Sequence, residues 1–207
     1  GERTADHLGF TRLAAAVLCE RVRLWLTAGD LATAGHVFDA GPCASRAGGT
    51  VGPETRELLQ MAEARLRCAQ GRASEAVPRL QSLLDTAVVQ HRRIFEIRVR
   101  ILLALALDAA GEPVASRTML AGALVMGLSA GMKRSFLDEG PRLRVLMTQL
   151  HDGLATGGFS DPEWAHLREP FAELLAIGAR EASVAGESIR GTDVPGRTPR
   201  AAGVLLD

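Results

Sequence analysis

The chain has 207 residues, 47% of them hydrophobic, 4% aromatic and none tyrosine, so it can bury a sizeable core and favours packed helices over sheets. Its 24 basic residues balance 24 acidic ones, which removes the electrostatic excess that binding a phosphate backbone requires. Three cysteines without C-x-x-C spacing argue against a disulfide framework and fit a reducing cytoplasm, and the longest apolar run, Ile101 to Ala110, falls short of the roughly 20 residues a membrane helix needs.

Asp6 is suited to cap a first helix, in which Phe10, Leu13, Val17, Leu18, Val22, Trp25 and Leu26 recur at steps of three and four. Gly29 ends it, because a helix commonly closes on a residue at positive φ that glycine adopts without a Cβ clash. Asp30 then caps a return helix carrying Leu31, Ala34, Val37 and Phe38. The stretch 41–52 holds four glycines and a proline and reads as a flexible connector; its double glycine lacks the Gly-Lys-Ser/Thr ending of a phosphate-binding loop.

Pro53 opens a second hairpin with Leu58, Leu59, Ala62, Leu66 and Ala69 on its apolar face, turned at Gly71. Its return helix runs from Ala76 to Val88, and Pro78 either delays its start to Ser74 or kinks it. His91, Arg92 and Arg93 read as a helix end with basic residues favoured by the dipole. A third hairpin starts near Ile94, is apolar around most of its first helix, turns at Gly111 and returns from Pro113 to Met126. The turn glycines lie near a forty-residue period, each followed five positions later by a small residue, Ala34, Ala76 or Ser116, that permits close helix approach. Such self-similarity indicates a helical solenoid.

The boundary after Gly131 looks unlike the other three, with Asp138 and Glu139 in a turn or capping role, followed by a short helix with Leu143, Val145, Leu146 and Leu150. Asp161 and Pro162 then start a last helix whose Trp164, Leu167, Phe171, Leu174 and Leu175 should seal the end of the solenoid, despite Pro170. Beyond Ser183 the chain has too few apolar residues to bury until Val204, Leu205 and Leu206, and reads as a linker leading into a further domain.

The run Arg134-Ser135-Phe136-Leu137-Asp138-Glu139-Gly140-Pro141, following repeats with Gly-Arg and Gly-Glu turns, resembles the end of the helical repeat domain in MalT-like, large ATP-binding LuxR-type transcription activators. Ala64 to Ala76 is similar to that family's Ala-Arg-Leu-x-x-Ala-x-Gly-Arg-x-x-Glu-Ala, and the arginines and aliphatics of Arg92 to Leu107 follow it. The resemblance implies an all-α fold: a right-handed superhelix of tetratricopeptide-like hairpins over residues 5–183 with a C-terminal capping helix. Residues 184–207 would be a flexible linker to a C-terminal DNA-binding domain lying outside this chain. It also implies a nucleotide-hydrolysing domain upstream; no G-x-x-x-x-G-K-S/T occurs here, so no cofactor is expected within these residues.

In tetratricopeptide-like hairpins the first helix of each pair lines the concave face. Counting back from the turn glycines nominates a groove of Cys19, Arg23, Met61, Arg65 and Asp108, with Arg98 on the same side. Its arginines suit an anionic effector or an acidic peptide, although each taken alone is more readily a solvated or structurally paired arginine. The five histidines are scattered, and neither H-E-x-x-H nor G-x-S-x-G occurs, so the expected role is non-catalytic. Two functions follow: a cytoplasmic effector-sensing domain that signals to a DNA-binding neighbour without touching DNA itself, or a protein-interaction scaffold unrelated to transcription. Self-association into a homo-oligomer stays open.

Overall fold

The computed structural model describes residues 2–41, 52–156 and 162–190. Residues 42–51 of the connector expected over 41–52, with Cys43, the Asp161 cap and residues 191–207 lie outside them. The helices run in the order α1 (Glu2–Thr27), α2 (Leu31–Asp39), α3 (Pro53–Ala69), α4 (Ala73–Val89), α5 (Arg93–Ala109), α6 (Pro113–Ser129), α7 (Lys133–Leu137), α8 (Pro141–Ala155), α9 (Pro162–Ala165) and α10 (Arg168–Arg190). α1 begins at Glu2, ahead of the expected cap at Asp6.

The glycine turns are built alike. Gly29, Gly71 and Gly111 take φ of 81°, 74° and 83°. The amide after each reaches back into the preceding helix: Asp30 donates to Trp25 O at 2.9 Å, Arg72 to Arg67 O at 2.8 Å and Glu112 to Leu107 O at 2.9 Å. This pairing satisfies carbonyls that a helix end otherwise leaves open. At the first turn Asp30 also accepts from Thr33 N at 2.9 Å, as a cap should.

The same bonding recurs at the helix end expected at His91–Arg93 and at the boundary expected to differ at Gly131. His91 adopts φ 55° with Arg92 N donating to Ala87 O at 2.9 Å, and Gly131 adopts φ 70° with Met132 N donating to Gly127 O at 2.9 Å. The turn at Gly131 is therefore a repeat turn like the others, and the irregularity expected there begins only after it. With it, α3, α4, α5 and α6 are each 17 residues long, and the turns between hairpins are built like the turns within them. His91 bears a Cβ where the other turns have none. Replacing it with glycine should stabilise the chain by about 1 kcal/mol, the scale of a left-handed residue's strain, read as a rise in thermal midpoint.

Hairpins stack through their first helices, α1 on α3 and α3 on α5, while α2, α4 and α6 pack between and behind them. Ala34, Ala76 and Ser116 are buried at these crossings, and the Ser116 hydroxyl donates to Ala104 O at 2.8 Å, which satisfies it inside the core. α4 starts at Ala73 and continues through Pro78, whose absent N–H falls close to the helix start. α5 has the most buried residues of any helix among the described residues, from Glu96 and Ile97 to Leu107, as its all-round apolar pattern demands.

α7 begins as the first helix of a fourth hairpin and stops after five residues. Phe136 is fully buried, with its ring so close to Gly127 that a Cβ there would lie 2.7 Å from it. α8, α9 and α10 complete the end of the solenoid: Leu143, Met147, Trp164, Leu167, Phe171 and Leu174 join Ile97, Ile101, Leu120 and Leu124 in one core. This is the sealing role expected of the last helix. The chain breaks between α9 and α10, which leaves Pro170 in the first turn of α10, where its missing N–H is harmless. α10 runs on to Arg190, so residues 184–190, expected as the start of a linker, are helical.

Candidate functional site: a groove divided by an internal turn

α7 is cut short by Asp138-Glu139-Gly140-Pro141. Gly140 takes φ 96°, and a Cβ there would also come within 2.8 Å of Thr27 Cγ2 on α1, so both backbone conformation and space call for glycine. Pro141 then starts α8, a position that suits its fixed φ. The turn thus brought round lands on the first helices of the earlier hairpins.

Four contacts hold it there. The Arg23 guanidinium of α1 donates to the backbone carbonyl of Asp138. Arg65 of α3 bonds Glu139 at 2.6 Å, with their side chains only 10% and 14% exposed. Thr27 faces Gly140. Asp108 of α5 accepts from Arg142 Nε at 2.7 Å. Arg65 also donates through Nη1 to Cys19 Sγ at 3.5 Å, a weak bond to a buried sulfur. Burial is the strongest single influence and works against the Arg65 charge, but Glu139, Cys19 and Glu20 together outweigh it and raise the guanidinium pKa above its ordinary value.

Arg23, Arg65 and Glu139 border a chamber on either side of them. One, of about 390 Å³, is polar and is lined by Cys19, Arg23, Met61, Arg65 and Arg98, together with Glu20, Arg134 and Asp138. The other, of about 420 Å³, is mainly aliphatic and is lined by Leu26, Cys68, Leu102 and Leu105, with Arg142 and Pro141 alongside. Five of the six nominated residues therefore meet around the polar chamber. Asp108 does not: it lies outside both linings and holds Arg142. Arg23 and Arg65 are brought to the groove but are engaged by the turn, whereas Arg98 is exposed and forms no ion pair among the described residues.

One lining residue of the polar chamber is bonded to the last helix. Arg134, in its lining, pairs with Asp138 and bonds Glu181 of α10 at 2.6 Å. The turn residues Asp138, Glu139 and Arg142 are what counting from the glycines misses. Their signal was present in Gly140-Pro141, a helix stop only five residues into a repeat that otherwise runs for 17.

Burial pushes the thiol pKa of Cys68 up to about 11, and that of Cys19 up as well, against the opposing pull of Arg65. A thiol held neutral in the fold contributes its full stability below its unfolded pKa near 9. As pH rises from 9 towards 11 the unfolded chain ionises first, so stability should fall across that window, and Cys68→Ala should make the fall shallower in urea titrations.

Among the described residues no group of three His, Cys, Asp or Glu side chains is placed to hold a metal ion, and no helix is long and apolar enough to cross a membrane. The fold and groove define an all-α, tetratricopeptide-like helical repeat domain. The chain belongs to the MalT-like TPR region family, whose model matches residues 2–153. That match takes in all three hairpins and the dividing turn and ends within α8. No curated protein and no solved structure matches the chain.

Proposed function

We propose that this chain is the non-catalytic sensing domain of a bacterial LuxR-family transcriptional regulator, taking a small effector or a partner protein in its groove and signalling to a neighbouring DNA-binding domain. Membership of the MalT-like TPR region family supports the setting. The observation that carries the mechanism is the buried Arg65–Glu139 pair, which ties the groove helix α3 to the turn that ends α7. A ligand that binds differently to the docked and released turn shifts the balance between them. Arg134, bonded both to Asp138 of the turn and to Glu181, then carries that shift to α10.

In this reading the domain works in the cytoplasm, needs no cofactor and reaches DNA only through its neighbour. Its balanced charge supports the latter point. Reading the gene past Asp207 tests the proposal. A basic helix-turn-helix module there agrees with it. A stop codon or a catalytic domain overturns it, in favour of an interaction scaffold unrelated to transcription.

A further inference from the structure

The solenoid is sealed at one end only. At its C-terminal end α8, α9 and α10 cover the last hairpin with Leu143, Trp164, Leu167 and Phe171, all buried. At the other end α1 leaves Leu13, Val17 and Leu24 exposed by 62%, 51% and 57% on one stripe of its surface. Terminal repeats of a solenoid ordinarily turn a polar face outward, and three large aliphatic side chains along one helix face mark a surface that another element covers.

The repeat register says which kind of element. Leu13, Val17 and Leu24 stand sixteen, twelve and five positions before the turn glycine Gly29. The same positions before Gly71 are Thr55, Leu59 and Leu66, and before Gly111 they are Phe95, Val99 and Ala106. Thr55 is buried, and Leu59 and Leu66 share a core with Leu18, Val22 and Ala34 of the first hairpin. Phe95, Val99 and Ala106 share a core with Met61, Ala62 and Leu80 of the second. These are the positions by which α3 and α5 sit on the hairpin before them, and in α1 they are apolar but bare. Glu20 departs from the pattern: it stands where α3 has Ala62 and α5 has Leu102, and it is bonded to Arg23 at 2.8 Å.

The spacing continues ahead of this face. Gly9 precedes Gly29 by twenty residues, as His91, the residue at positive φ between the second and third hairpins, precedes Gly111. α1 is helical through Gly9, so the spacing and not the backbone marks the place of a repeat turn there.

We propose that the exposed face of α1 seats one further helical hairpin, supplied by the residues ahead of Gly1 in the natural polypeptide and stacked on α1 as the first hairpin stacks on α3. Its chemistry is set by the crossings already present. Val22, Ala64 and Ala104, seven positions before the turn glycines, and Ala34, Ala76 and Ser116, five positions after them, are all buried. The covering hairpin should therefore carry a turn glycine about forty residues ahead of Gly29, with an aliphatic residue or alanine seven before it and a small residue five after. A second copy offers no matching surface, because its far end is sealed by α8 to α10 and its near end is another first-helix face. This stacking is independent of what the groove binds.

The gene read ahead of Gly1 should show that pattern. The 207-residue chain is then compared with the same chain extended upstream by the natural residues through one hairpin. In the wild type, hydrogen exchange across residues 13–24 should be at least about tenfold slower in the extended chain. The double variant Val17→Asp with Leu24→Asp changes exposed positions of the 207-residue chain and should leave its thermal midpoint nearly unchanged. In the extended chain it buries two unpaired carboxylates and should lower the midpoint by at least about 5 °C. The exchange measurement needs no variant, so it stands even if the extended variant does not fold. An upstream sequence without the pattern, exchange across 13–24 unchanged by the extension, or equal midpoint shifts in the two chains would each overturn the proposal. A dimer of the extended chain that the double variant dissociates would overturn it too, by giving the face to a second copy.

Discussion

Arg65→Met should destabilise the chain by about 3–5 kcal/mol, because it strands the Glu139 carboxylate in a site from which water is largely excluded. Glu139→Gln should also destabilise, since it leaves the Arg65 charge buried with only the Cys19 sulfur and a neutral amide beside it. The informative variant is the pair Arg65→Met with Glu139→Leu. It removes both charges together and should recover much of the loss, as buried ion pairs replaced by apolar groups of similar volume commonly do. Urea denaturation of all the variants gives the coupling directly. If the single losses simply add in the double variant, the two side chains do not act as a pair and the turn is not anchored through them.

Phe136→Ala should cost about 3–5 kcal/mol, the range for emptying a large buried aromatic site. The ring is fully buried where α6, α7 and α8 meet, and it seats on Gly127. Gly127→Ala attacks the same contact from the other side: a Cβ at 2.7 Å from the ring forces a shift and should cost about 1–3 kcal/mol by overpacking. Combining Gly127→Ala with Phe136→Leu should cost less than the two changes summed, because the smaller side chain makes room for the added methyl. Strict additivity would show that the ring and the glycine are not in contact.

Local chemistry made most of the fold legible. The glycines at 29, 71 and 111 and the small residues five positions beyond them are statements about neighbouring residues, and each appears in the structure as read; the apolar spacing holds for Ile97 to Leu107 of α5, whereas of the face read for α3 only Ala62 and Leu66 are buried and Ala69 is exposed. The helix end at His91 to Arg93 was legible, but its kinship with the glycine turns was not, because His91 is not a glycine. The kinship of Gly131 was hidden because the sequence after it breaks the pattern, which drew attention from the turn itself. The forty-residue period of the hairpins stands, and what the sequence pattern hides is that the turns between hairpins are built like those within them.

The groove was partly legible for the same reason. Counting from the turns set Cys19, Arg23, Met61 and Arg65 in register, and Arg98 joined them on the same side. The count could not reveal what lies across those residues. Arg23 meets Asp138 from 115 positions away and Arg65 meets Glu139 from 74, and no local pattern encodes pairings at that distance. Asp108 was in register too, yet it holds Arg142, because the turn delivers that arginine to the end of α5.

The central claim is that the turn at 138–142 clamps the first helices of the solenoid together. Hydrogen exchange, followed peptide by peptide in the wild type and in Glu139→Gln, tests it most directly. The account predicts faster exchange in the variant both across residues 133–142 and in the α1 segment around Arg23 and Thr27, which touches the turn but is remote in sequence. Faster exchange confined to the mutated peptide, with α1 unchanged, would contradict it.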